Sequence, residues 1–116
     1  MKFVALVAVV PEEREEEAIE VAKKAGAGAV TILHGRSMGL KEKKIFFGLT
    51  LEENVTVLHF ILPRRLSLRV MKALSKALDM ENTDNVAMAY TMPLAHVVGL
   101  NIEELHKFEH EIKNLL

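Results

Sequence analysis

Val9-Val10-Pro11-Glu12-Glu13 and Ile61-Leu62-Pro63-Arg64-Arg65 decide the fold of this chain. In each, an apolar run meets a proline that is followed by two charged residues. Proline lacks an N–H that the first turn of a helix does not need, so each junction reads as a strand ending where a helix begins. Working outward, residues 3–34 give strand, Pro11, charged pair, amphipathic helix, small-residue loop and second strand. Residues 55–92 repeat that order around Pro63. A doubled strand–helix–strand unit predicts an α+β ferredoxin-like βαββαβ sandwich. That architecture hosts many functions, so the repeat leaves the chemistry open.

Strand one is expected over Phe3–Val10 and is apolar on both faces. Helix one follows from about Glu12 to Ala25, with Ala18, Ile19, Ala22 and Ala25 as its buried stripe. Its acidic first turn and its Lys23-Lys24 end suit the helix dipole, and Gly26 and Gly28 stop it. Strand two covers Ala29–His34 and strand three Val55–Leu62. Helix two runs from about Arg64 to Leu78 on Leu66, Val70, Leu74, Ala77 and Leu78. Residues 80–85 are a polar turn, and strand four spans Val86–Met92, broken by Pro93. After an apolar stretch from Ala95 to Leu100, Asn101 caps a helix to Leu116 with Ile102, Leu105, Phe108, Ile112 and Leu115 in one stripe.

The 116 residues are half apolar and carry a formal charge of −1, as expected of a single globular domain over 1–116. The core is expected over 1–100 and the added helix over 101–116. Near-neutral charge gives no reason to expect nucleic acid as a partner. With no cysteine, disulfides, zinc–thiolate sites and thiol nucleophiles are excluded. The basic-then-apolar start resembles a signal peptide, but Pro11 and the acidic run after it argue for a buried strand in a cytoplasmic protein, without membrane insertion. In a sandwich with both helices on one face, a second face that met water would alternate with polar residues. Strand one shows no such alternation, and strand three only Thr56 and His59. That face is therefore expected to be covered, by the C-terminal helix and by a neighbouring subunit, in an oligomer built through the sheets.

Residues 35–54 are the longest segment that the repeat does not require, and long insertions in compact domains are usually functional or mobile. Gly35-Arg36-Ser37-Met38-Gly39 offers backbone N–H groups and a guanidinium to an anion, or else is a strand exit with a solvated arginine. Lys41, Lys43 and Lys44 beside Phe46 and Phe47 offer a basic, aromatic docking tip for a partner, or a solvated charge run with at least one phenylalanine returning to the sheet. His106 and His110 have a spacing that suits a metal, but no third ligand is evident, and two surface histidines are the plainer reading. His59 reads as a core or interface histidine. No catalytic constellation is apparent. Ser37, Ser67 and Ser75 have no recognisable base, and a non-enzymatic protein is expected.

Three stretches carry a family resemblance. They are residues 28–37, from Gly28 through His34-Gly35-Arg36-Ser37; residues 46–52, from Phe46 to Glu52; and residues 92–100, Met92-Pro93-Leu94-Ala95-His96-Val97-Val98-Gly99-Leu100. In their order and spacing the chain resembles the P-II signalling family, specifically its divergent P-II-like branch, over roughly residues 2–100. The resemblance implies a homotrimer with a ligand cleft between subunits. It also implies a T-loop, here about 35–54, that docks on a membrane transporter or an enzyme. Carried onto this sequence, the ligand side is Gly35, Arg36, Ser37 and Gly39. The turn across the cleft is Asn82 to Asn85, including Asp84, and the partner-binding residues are Lys41, Lys43, Lys44 and Phe46. The T-loop has no tyrosine to modify, since the single tyrosine is Tyr90. The family's phosphate loop is glycine-rich and followed by lysine; residues 81–86 have neither, which ranks ADP or AMP, or a small inorganic anion, ahead of ATP and leaves open that no ligand binds. The alternative from another class is a trimeric ferredoxin-like metal-binding protein similar to the CutA family.

Overall fold

Two antiparallel strands, β1 (Phe3–Pro11) and β5 (Glu53–Pro63), form the centre of the computed structural model, paired from Phe3↔Pro63 to Pro11↔Val55. The structure describes residues 2–39, 45–46, 49–50, 53–82 and 87–100. β2 (Thr31–Ser37) flanks β5 and β6 (Met88–Pro93) flanks β1, both antiparallel, giving the sheet order β2-β5-β1-β6. With α1 (Glu15–Ala25) after β1 and α2 (Arg64–Ala77) after β5, this is the expected ferredoxin-like arrangement. A short hairpin, β3 (Ile45–Phe46) with β4 (Leu49–Thr50), lies in the insertion between β2 and β5.

The alternation of the strands selects the core. Leu6, Ala8 and Val10 of β1 share a face with Leu58, Phe60 and Leu62 of β5, and all six are buried against the helices. α1 contributes Ala18, Ala22 and Ala25, and α2 contributes Leu66, Val70 and Leu74, followed by Leu78. Each fully buried leucine or phenylalanine in this layer contributes roughly 1.5–3 kcal/mol. Small residues on α1 opposite large ones on α2 let the two helices lie close on a four-stranded sheet.

The element ends differ from expectation for physical reasons. Pro11 and Pro63 both have φ of −56° and ψ near 140° and cap their helices from the strand side. The first helical turn after Pro11, Glu12–Arg14, is a 3₁₀ turn, and α1 proper starts at Glu15. β2 starts at Thr31 and runs to Ser37, because Gly35, Arg36 and Ser37 pair with Val55, Asn54 and Glu53. β6 starts at Met88 and ends on Pro93, which a sheet edge tolerates. Ala77 is only half-buried. Ser67, at the other end of α2, is buried instead, and its hydroxyl donates to the Arg64 carbonyl at 2.6 Å. Gly26, at φ 120°, ends α1 as its glycine predicted.

Arg14 fastens one repeat to the other. Its guanidinium donates to the Ala77 carbonyl at the last residue of α2, at 3.1 Å, and makes a two-pronged contact with Glu17 at 2.8 and 2.9 Å. A cation at an exposed helix C-terminus satisfies a carbonyl that has no helical partner. Arg14→Ala should lower stability by about 1 kcal/mol and reduce the melting temperature by a few degrees in a thermal scan, with the native circular dichroism spectrum retained.

Candidate functional site

The face of the sheet away from the helices is apolar. Paired residues share a face, so the rows across it read Leu33–Val57–Val9–Met88, Thr31–His59–Val7–Tyr90 and Ile61–Ala5–Met92. Ala5 and Val7 are buried, His59 is half-buried, and Leu33, Met88, Tyr90 and Met92 are exposed by 57, 52, 42 and 45 %. A contiguous apolar surface of this kind marks an interaction site. The part of the expectation that assigned some of its cover to a C-terminal helix concerns residues 101–116, outside the described residues.

At one end of this sheet the chain gathers the candidate ligand residues. Gly35, Arg36 and Ser37 close β2, and Gly39 follows, exposed. The expected open loop of backbone donors is therefore a paired strand, with Gly35 opposite Val55. Among the described strands β2 is an edge of the sheet. Asn82 sits in the turn before β6, its backbone N–H and side-chain amide both on Asp79, at 3.1 and 3.4 Å. Asp79 has φ 49°, a left-handed conformation that aspartate tolerates better than most residues. Asp84 and Asn85 lie outside the described residues, as do Lys41, Lys43 and Lys44, and of Phe46 only the strand backbone is described.

The register fixes how these pieces relate. Gly35 pairs with Val55, and Val55 with Pro11; one row in, Val9 pairs with Met88 at the start of β6. The Gly35-Arg36-Ser37 strand end and the turn carrying Asn82 are thus at the same end of the sheet but on opposite edges. Three strand spacings, about 14 Å, separate those edges. One chain does not bring its two half-sites together.

A polar cluster that sequence reasoning missed ties down the base of the insertion. Glu15, the first residue of α1, accepts from the Thr56 hydroxyl at 2.9 Å, and the same oxygen lies 2.6 Å from His34 Nε2. Thr56 is fully buried and is the register partner of His34. The contact with His34, then that with Thr56, holds the Glu15 carboxyl below its ordinary range against the opposing effect of partial burial. Nothing in the linear spacing of 15, 34 and 56 signals this; the β2–β5 register creates it. Among the described residues no group of three or more His, Asp or Glu is placed to hold a metal ion, and His106 and His110 lie outside them. No helix among the described residues is long and apolar enough to cross a membrane.

With this geometry in hand, comparison with known proteins is informative at the level of fold. A GlnK–ATP complex from B. subtilis superposes with a TM-score of 0.67 at 13% identity, over 88% of this chain and 90% of that one. A chain described as a putative PII-like signalling protein, from Thermus thermophilus, gives a TM-score of 0.54 at 21% identity, over 81% and 88%. The chain has the P-II-like fold. A DUF3240 family protein from Shewanella baltica shares it, with a TM-score of 0.64 at 9% identity over 87% and 99%. No family model and no curated protein sequence matches the chain. The P-II-like fold also accounts for the position of the insertion, between the edge strand β2 and the central strand β5.

Because the folded state lowers the Glu15 pKa, its stabilising contribution is present above the ordinary carboxyl value of 4.5 and disappears as pH falls through the lower folded value. Glu15→Gln should therefore melt at a lower temperature than the parent chain at pH 6–7, and the difference should shrink toward zero below about pH 4. A pH series of thermal melts checks this.

Proposed function

We propose that this chain is a P-II-like signalling subunit that acts as a homotrimer and regulates a partner protein rather than catalysing a reaction. The observation that supports this reading is that Arg36 and Asn82 lie at one end of the sheet on opposite edges. A second copy that sets its β6 edge against the β2 edge of the first closes a cleft between Arg36 and the Asn82–Asn85 turn. The apolar sheet face supplies the surface on which three copies pack, and its burial supplies the driving force.

The effector that suits this cleft is small and anionic. Arg36 provides a charge-assisted donor and the end of β2 provides backbone N–H groups. A neighbour of the same fold, GlnK, is a complex with ATP. Here residues 81–86, Glu81-Asn82-Thr83-Asp84-Asn85-Val86, have neither glycine nor lysine and include two acids. ADP or AMP, with less phosphate charge to neutralise, is therefore the proposed class. The insertion, residues 35–54, with Lys41, Lys43, Lys44 and Phe46, is the proposed contact with a membrane transporter or an enzyme. The protein is proposed to work in the cytoplasm.

Two measurements test this reading. Light scattering should return a trimer at micromolar concentration, and Leu33→Asp should return a folded monomer. Leu33 is more than half exposed in the single chain, so the new carboxylate costs nothing until a neighbour covers it. A parent chain that is itself a monomer overturns the assembly. Calorimetric titration should show ADP or AMP binding more tightly than ATP. Arg36→Ala should weaken that binding tenfold or more, since a hydrogen bond to a charged group contributes roughly 1.5–3 kcal/mol, and should leave the trimer intact. Tight ATP binding insensitive to Arg36→Ala would refute both the site and the choice of ligand.

A further inference from the structure

The near-zero net charge conceals two helices of opposite sign. The 3₁₀ turn and α1 carry Glu12, Glu13, Glu15, Glu16, Glu17 and Glu20, with cations only at Arg14, Lys23 and Lys24. α2 carries Arg64, Arg65, Arg69, Lys72 and Lys76 and no acid, and all five cations are exposed. Arg65, Arg69, Lys72 and Lys76 follow a 4-3-4 spacing, so they form one stripe along the helix. Leu68 lies beside that stripe and is 58 % exposed.

Between α2 and the edge strand β6 run two open hollows of about 720 and 830 Å³ that meet at Leu68. Their lining is largely apolar, with Met71, Met80, Ala87 and Ala89 in the first and Phe3, Val4, Pro93 and Leu94 in the second. Their rim is basic along most of its length, with Lys2 and Arg64 at one end and Lys72 and Lys76 beyond Leu68. Acids, Asp79 and Glu81, appear at the far end past Lys76. Such a groove fits an amphipathic segment with an apolar stripe and an acidic flank.

We infer that the occupant is this chain's own residues 101–116, seated along α2 with their apolar stripe in the groove. Three observations carry the assignment. The chain reaches the groove: Ala95 and Val97 line its Arg64 end, and Leu94 is held there by its N–H on the Phe3 carbonyl at 3.3 Å. The lengths agree: a helix over 101–116 is about 24 Å long and α2 about 21 Å. The charges agree: with Ile102, Leu105, Phe108, Ile112 and Leu115 facing inward, Glu104 and Glu111 fall seven apart on one flank, against the basic wall. The open sheet face has no such basic complement among the described residues; its polar groups there are Thr31, Ser37, Glu53, His59 and Tyr90.

The chain has no cysteine, so introduced pairs report contact without background. Ser75→Cys, on the groove wall, is combined in turn with Phe108→Cys, Glu109→Cys and Ile112→Cys in the full chain. Tyr90→Cys, on the open sheet face, takes its place in a control series. A disulfide requires Cα atoms within about 7 Å. Under mild oxidation at least one Ser75→Cys pair should close within the chain, tenfold or more faster than any Tyr90→Cys pair. Lys72→Glu with Lys76→Glu should slow closure at least tenfold without changing the circular dichroism spectrum, and adding Glu104→Lys with Glu111→Lys should restore it. Faster closure to Tyr90→Cys, disulfides that join separate chains, or a rate indifferent to charge reversal would each overturn the assignment.

Discussion

The antiparallel register of β1 with β5 is the constraint on which the rest of the molecule depends. Those two strands are apolar on both faces, so hydrophobicity alone does not choose which face the helices cover. The pairing of Leu6, Ala8 and Val10 with Phe60, Leu58 and Thr56 aligns their helix-facing residues. A shift by one residue would carry every side chain of one strand to the wrong side. Pro11 and Pro63 bound the pair at opposite ends of the sheet, each turning the chain from strand into helix. Because both helices leave their strands in the same sense, they land side by side on one face, and neither covers the other face.

Polar contacts then fasten the layers at their rims, where water would otherwise compete. Arg14 reaches from the start of one helix to the end of the other, and Glu15 joins the helix layer to both β2 and β5 through His34 and Thr56. These ties concentrate at the end of the sheet where β2 enters the insertion. The cluster around Glu15 fixes the end of β2 immediately beside Gly35 and Arg36.

The P-II-like fold turns these features into a division of labour. The helix face holds the core, the other face offers apolar area, and the two edges carry Arg36 and the turn with Asn82. In one chain the four strands, in the order β2-β5-β1-β6, hold Arg36 and Asn82 apart. The opposite charges of the two helices, invisible in a net charge of −1, add a second and separate layer of organisation on the outer surface.

How legible all this was in the sequence follows the range of each interaction. Strand and helix identity, the doubled topology, the proline junctions, the glycine stop of α1 and the apolar second face depend on neighbours within a few residues, and local pattern sufficed for them. The P-II resemblance of the stretches around Gly35, Phe46 and Pro93 agrees with the observed fold. What local pattern could not supply was register. The extension of β2 through Ser37 depends on Glu53, Asn54 and Val55 lying opposite it. The Glu15–His34–Thr56 cluster, the Arg14 contact with Ala77, and the separation of Arg36 from Asn82 by the width of the sheet depend on pairings between residues far apart in the chain. The sequence by itself determined which residues prefer strand, helix or turn, because those preferences are local. Only the tertiary structure decided which side chains meet, because that is set by how strands pair across the sheet.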